Sequence, residues 1–220
     1  MTKYFHWFIV LFVFLACIPT IGLSALFDWD EVNFAECARE MIVSKDYFNV
    51  TINFQAFWEK PPLFIWMQAL SMLVFGINEF AARFPNVIAA VFTLLALYRF
   101  GKEFFGEKFG IAWSALYACS ILPFMYFNSG IIDPWFNFFI FSGVIQIYKG
   151  SLQQNSQNFI LSGVFIGLAI LTKGPVALLL IGGAFAVYFL INRFKHFPSF
   201  GKISLFLLTT LFIGSLWFIL

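Results

Sequence analysis

Long apolar runs separated by short polar passages set the organisation of this chain. The runs fall at 4–27, 63–76, 84–100, 111–128, 135–148, 159–171, 176–191 and 203–220. They are continuous rather than alternating, which predicts helices and excludes the strands of an outer-membrane barrel. The first run is too long for the apolar core of a signal peptide and long enough to span a bilayer. The run at 63–76 is short for a full crossing. Pro61-Pro62 breaks the backbone just before it.

Basic residues give the runs a direction. Lys3 favours a cytoplasmic N-terminus, and Arg99, Lys102 and Lys108 mark one cytoplasmic loop. The polar passage from Lys149 to Asn158 marks a second, and Arg193, Lys195, His196 and Lys202 mark the most basic one. The passage 28–62, the pair Asp133-Pro134 and the turn Thr172-Lys173-Gly174-Pro175 are then outside. Parity requires 63–76 to be re-entrant or only partly embedded.

The passage 28–62 is the longest polar stretch. It holds seven of the eleven acidic residues and three basic ones, Arg39, Lys45 and Lys60. Residues 31–44 read as a short amphipathic helix along the membrane surface, with Val32, Ala35, Ala38 or Arg39, and Ile42 on its apolar face. Glu36 and Arg39 are spaced to pair, and Asp28 and Glu31 have capping-box spacing. Residues 46–57 read as extended or irregular.

Composition agrees with this class. The 220 residues are 61% hydrophobic and 11% charged, with mean hydropathy +0.88, whereas soluble chains run near ~25% charged. A net charge of +2 gives no sign of a nucleic-acid partner. The 34 Phe residues suit lipid-facing positions. Cys17, Cys37 and Cys119 lack metal-type spacing and read as small apolar fillers. His6 and His196 read as inert. The expected fold is an all-α integral membrane protein, a multi-span helical bundle whose first loop is periplasmic and carries the surface helix.

Three polar motifs are expected on the outer face: Asp30-Glu31, Glu59-Lys60 and Asp133. Each has a Trp beside it, at Trp29, Trp58 and Trp135, a residue that favours the membrane–water interface. Acids at headgroup depth suit sugar transfer from a lipid-linked phosphate donor. Lys60 or Arg39 could hold the phosphate as it leaves. Asp30, with Asp133 second, could orient or deprotonate the acceptor hydroxyl. Each residue also has a plainer reading. Asp30 can cap the surface helix, Glu59 and Lys60 can be a solvated pair, Asp133-Pro134 is a helix-start pattern, and Lys173 can snorkel to the interface.

Read together, the motifs carry a resemblance. Asp30-Glu31-x-x-Phe-Ala-Glu-x-Ala-Arg-Glu-Met41, Trp58-Glu-Lys-Pro-Pro-Leu63, Glu79-Phe-Ala-Ala-Arg-Phe-Pro85, Asp133-Pro134 and Leu171-Thr-Lys-Gly-Pro-Val176 follow in this order. The chain resembles the N-terminal part of the GT-C membrane glycosyltransferases, within the branch of lipid A aminoarabinose and protein O-mannosyl transferases. The resemblance covers about residues 20–220. It implies a polyprenyl-phosphate sugar donor, transfer on the periplasmic face of a bacterial inner membrane, and inversion at the sugar carbon. The acceptor would be lipid A, another glycan or a protein hydroxyl. It implies Asp30 close to the reaction centre, Asp133 as the second-loop aspartate and Lys60 on the lipid phosphate; Arg39 as a further phosphate-binding residue, and Glu31 and Lys173 as supporting ones, are expected from the residues themselves. Glu59 would help hold a divalent metal ion. Asn33 departs from the Arg often found there in the aminoarabinose branch, which leaves the sugar open. Family members run roughly twice this length or more, and the last apolar run continues to Leu220, so a partial chain is expected. Two other readings stand beside transfer: a transporter or flippase of lipid-linked precursors, and a non-catalytic lipid-binding remnant.

Overall fold

The computed structural model describes residues 4–27, 29–195 and 197–218. Asp28 as a cap and His196 as an inert residue therefore lie outside the described residues. In chain order come α1 (Phe5–Cys17), α2 (Asp30–Ser44), β1 (Thr51–Ile52), β2 (Gln55–Ala56), α3 (Leu63–Phe75), α4 (Glu79–Phe105), α5 (Glu107–Ala118), α6 (Ile121–Phe127), α7 (Asp133–Gln153), α8 (Ser156–Lys173), α9 (Val176–Ile191) and α10 (Phe200–Gly214). The chain forms two compact units. One is Met1–Phe57 with Phe64–Pro134, the other Trp58–Leu63 with Trp135–Leu220. The all-α class holds, with one minimal hairpin added.

Among the described residues, α4 and α8 are long and apolar enough to cross a membrane. The pair α5 and α6, bent by 68°, is a third if read as one broken span. Several boundaries differ from the apolar runs. Helix α1 stops at Cys17: Ile18 keeps helical dihedrals and its N–H still reaches the Phe14 carbonyl, but Pro19 has no N–H with which to continue the ladder. Its 13 residues rise only about 20 Å. Helix α3 is equally short, as its sequence suggested. The run 111–128 is not one helix. Pro123 cannot donate to the carbonyl of Cys119 and its ring crowds it, and the break falls at that point. Helix α4 starts at Glu79 instead of 84, capped by the Asn78 side chain, which accepts from the Ala81 N–H. Most of the expected loop 149–158 is helical, because Lys, Leu and Gln continue a helix readily and only Gln154 and Asn155 break it. Thr172 and Lys173 still belong to α8, and the turn comes at Gly174 with φ +84°.

In the first unit α4 is the element against which α1, α5 and α6 pack. Its buried face is built of small residues such as Ala81, Ala82, Ala89 and Ala90. Backbone approaches backbone most closely at Gly101 and Gly110, where an added Cβ on Gly101 would meet the Gly110 Cα at 2.7 Å. In the second unit α8 packs closely on α10, with Gly163 and Gly167 facing Thr209 and Ile213.

Helix α2 forms where expected, with Ala35 and Ala38 buried as the spacing predicts, but the rest of its buried face departs from the apolar pattern. Val32 is 42% exposed. The buried residues are Glu31, Phe34, Ala35, Cys37, Ala38, Glu40 and Met41. Two carboxylates lie on the inner face because each has partners waiting there, which a reading by polarity misses.

Candidate functional site

A charge inside an apolar unit persists only when paired and fully hydrogen-bonded. Glu31 on α2 and Arg83 on α4 are each 1% exposed and meet that condition together. Arg83 Nε donates to Glu31 Oε1 at 2.8 Å and Nη2 to Oε2 at 3.0 Å. Nη1 donates to the carbonyls of Ile21 and Ser24, both at 2.8 Å, and Nη2 to that of Ala25 at 2.9 Å. The Glu31 carboxylate in turn accepts the N–H groups of Phe27 and Gly130. One ion pair thus joins the segment after α1, the start of α2 and the loop before α7.

Two buried amides hold the same loop. Asn86 Nδ2 donates to the carbonyls of Ser129 at 2.6 Å and Ile131 at 2.7 Å. Gln68 Nε2 donates to the carbonyls of Ala82 at 2.9 Å and Gly130 at 3.4 Å. The loop leads directly into Asp133, the first residue of α7, whose side chain is half-buried.

Asp30 opens α2 and is exposed. Its neighbour Trp29 has φ 63°, a left-handed value that strains a bulky residue, and is 70% exposed. Within the first unit the fold therefore attaches Asp30 and Asp133 to one buried polar cluster, Asp30 next to Glu31 and Asp133 three residues after Gly130. Trp135 differs from the other two tryptophans in burial. It is 8% exposed and packs its ring against Phe138 and Phe139, whereas Trp29 and Trp58 are open.

Arg39 is engaged. Its Nε and Nη2 grip both oxygens of Glu36 at 2.8 and 2.6 Å. The pair holds the Glu36 carboxyl below the usual carboxylate range and raises the Arg39 guanidinium. A phosphate would have to displace that carboxylate. Glu36 and Arg39 also line a cavity of about 260 Å³ with Leu26, Met72, Ile77 and Glu79.

The other candidates fall in the second unit. Glu59 is exposed and Lys60 half-buried, in the non-helical stretch before α3. Lys173, in the last turn of α8, has its Nζ 5.5 Å from the centre of the Phe136 ring, a cation–π distance. Among the described residues no group of three or more His, Cys, Asp or Glu side chains could hold a metal ion. Glu59, the residue expected to help hold a metal, belongs to no such group.

Arg83, Gln68 and Asn86 had no role on sequence grounds. Their signal was present all the same: each is a strongly polar residue inside an apolar helix, where such a group needs a partner.

Relatives share this architecture. The chain superposes on the crystal structure of ArnT from Cupriavidus metallidurans in the apo state with a TM-score of 0.86 at 20% identity, covering 99% of this chain and 41% of that one. The same protein bound to undecaprenyl phosphate gives 0.81 at 21% identity, covering 98% and 41%. In sequence it is 27% identical over 177 residues to the undecaprenyl phosphate-alpha-4-amino-4-deoxy-L-arabinose arabinosyl transferase of Wigglesworthia glossinidia brevipalpis, covering 78% of this chain and 32% of that protein. The protein of the same name from Edwardsiella ictaluri is 29% identical over 185 residues, covering 81% and 33%. The chain thus spans about a third of the length of these curated relatives. The family described as dolichyl-phosphate-mannose-protein mannosyltransferase matches residues 59–218, well over half of the sequence, and the chain belongs to that family.

Proposed function

We propose that the protein takes part in moving a sugar from a polyprenyl-phosphate donor to an acceptor hydroxyl on the periplasmic face of a bacterial inner membrane. The observation that carries this reading is the exposed Asp30 carboxylate, fixed at the start of α2 beside a buried ion pair, in a chain of this family. The names of the relatives supply the donor class: an undecaprenyl phosphate carrying an amino-deoxy pentose. The sugar and acceptor of this chain stay open to lipid A, another glycan or a protein.

The reaction is a displacement at the anomeric carbon. The acceptor oxygen forms a bond to that carbon while the bond to the phosphate oxygen breaks, and the polyprenyl phosphate leaves with the electron pair. Asp30 takes the acceptor proton, with Asp133 as the supporting carboxylate. Lys60 supplies the cation that meets the negative phosphate, and Lys173 is a second, weaker candidate.

The test is transfer of labelled sugar from a polyprenyl-phosphate donor in membranes carrying the protein. Asp30→Asn is expected to lower transfer about 100-fold or more, the scale of a lost general base. Lys60→Ala is expected to weaken donor use and slow transfer. Full activity in Lys60→Ala would remove Lys60 from the phosphate role, and full activity in Asp30→Asn would remove the base.

A further inference from the structure

We infer that Arg83 and Glu31 are positioning residues that hold Asp30 and Asp133 in fixed relation. The inference rests on the transferase reading for its catalytic part and on geometry alone for the rest.

The geometry concentrates on one carboxylate. Glu31 Oε1 accepts from both Arg83 Nε and the Gly130 N–H, and Oε2 accepts from Arg83 Nη2 and the Phe27 N–H. Asp30 is covalently next to Glu31, and Asp133 follows Gly130 by three residues. Any movement of the Glu31 carboxylate therefore shifts both acids. Arg83 prevents that movement. Its planar fork uses two directions on Glu31 and the others on three main-chain carbonyls, of Ile21, Ser24 and Ala25. A lysine carries the same charge but offers a single point donor and cannot reproduce the fork.

Gly130 gives an independent handle. A Cβ there would meet the Ala82 carbonyl oxygen, Gln68 Nε2 and Glu31 Cγ, each at 3.2 Å. Alanine should thus push the loop outward by a few tenths of an ångström while every charge remains.

The experiment compares wild type, Arg83→Lys and Gly130→Ala in the same membrane preparation by amide hydrogen exchange and by steady-state transfer. In Arg83→Lys, exchange over 21–27 and 128–132 is expected to rise about tenfold or more while α5 and α10 keep their protection. The turnover kcat is expected to fall about tenfold with donor KM within about twofold, the mark of lost alignment rather than lost binding. Gly130→Ala is expected to lower kcat to a smaller extent, with exchange over 21–27 unchanged. It decides the matter if Arg83→Lys does not fold. Unchanged exchange in 128–132, exchange raised evenly through the unit, or a raised KM with intact kcat would each overturn the inference. If the wild-type protein transfers no sugar, the transferase reading fails, and the exchange comparison still decides whether the pair holds the two acids.

Discussion

Glu31 and Glu40 sit on the same helix, both on its buried side, and each holds a different segment. Glu40, fully buried, accepts from the Thr51 hydroxyl at 2.6 Å and from the Phe54 N–H at 3.0 Å. These charge-assisted bonds stabilise a turn in which Asn53 and Phe54 both take positive φ, as a two-residue hairpin loop requires. Glu40→Ala would remove the bonds from the Thr51 hydroxyl and the Phe54 N–H, a loss of about 1–3 kcal/mol for the two together. The expected outcome is a lower unfolding midpoint with faster exchange over 51–56, and an unchanged midpoint would show that the hairpin does not depend on Glu40. Between these carboxylates lies Cys37, fully buried. Burial, with Glu40 and then Glu36 nearby, pushes its thiol up to about 12. The thiolate is the reactive form, so Cys37 is expected to resist maleimide at neutral pH in the folded protein and to label only after denaturation. The half-buried pair Glu36–Arg39 works in the opposite sense on its acid. The Glu36 carboxyl is lowered, so the stability it contributes is present above the ordinary carboxylate range and lost as pH falls through the lowered value.

At the scale of elements, helix boundaries follow the breakers, and helix faces follow the partners. Pro19, Pro123, Asn78 and Gly174 end or start helices for local reasons that can be read in order along the chain. The buried face of α2 cannot be read that way, because Glu31 and Glu40 count as polar until Arg83, Thr51 and Phe54 are brought to them. Close packing of α8 on α10 depends on glycine in the same non-local manner. At Gly167 an added Cβ would lie 2.5 Å from Ile213 Cβ, in the small-residue spacing Gly163-x-x-x-Gly167 that lets membrane helices approach. Gly167→Val is expected to destabilise the second unit by about 1–3 kcal/mol, the range of core overpacking. Thermal unfolding in detergent measures it, and a midpoint equal to wild type would mean that the helices separate without cost.

At the scale of the whole molecule, the distribution of basic residues predicts sidedness. Residues 45–60 are expected outside and 193–202 inside. In a Cys119→Ser background, Asn49→Cys should react with a membrane-impermeant maleimide in intact cells. Ser199→Cys should react only after permeabilisation. The reverse pattern would invert the topology and move Asp30 to the cytoplasmic face.

Sequence by itself determined the class. Backbone groups in a bilayer must be satisfied within their own segment, so continuous apolar runs can only be helices, and prolines and glycines mark where they stop. It also exposed the acid-rich passage and the ordered motifs that place the chain in its family. Tertiary structure alone decided which polar residues face inward. Arg83 and Glu31 are separated by 52 positions, and nothing local says that one will neutralise the other. Desolvating either without its partner would cost several kcal/mol, and only the packing of α2, α4 and the loop at Gly130 brings enough donors and acceptors to one point to offset that cost.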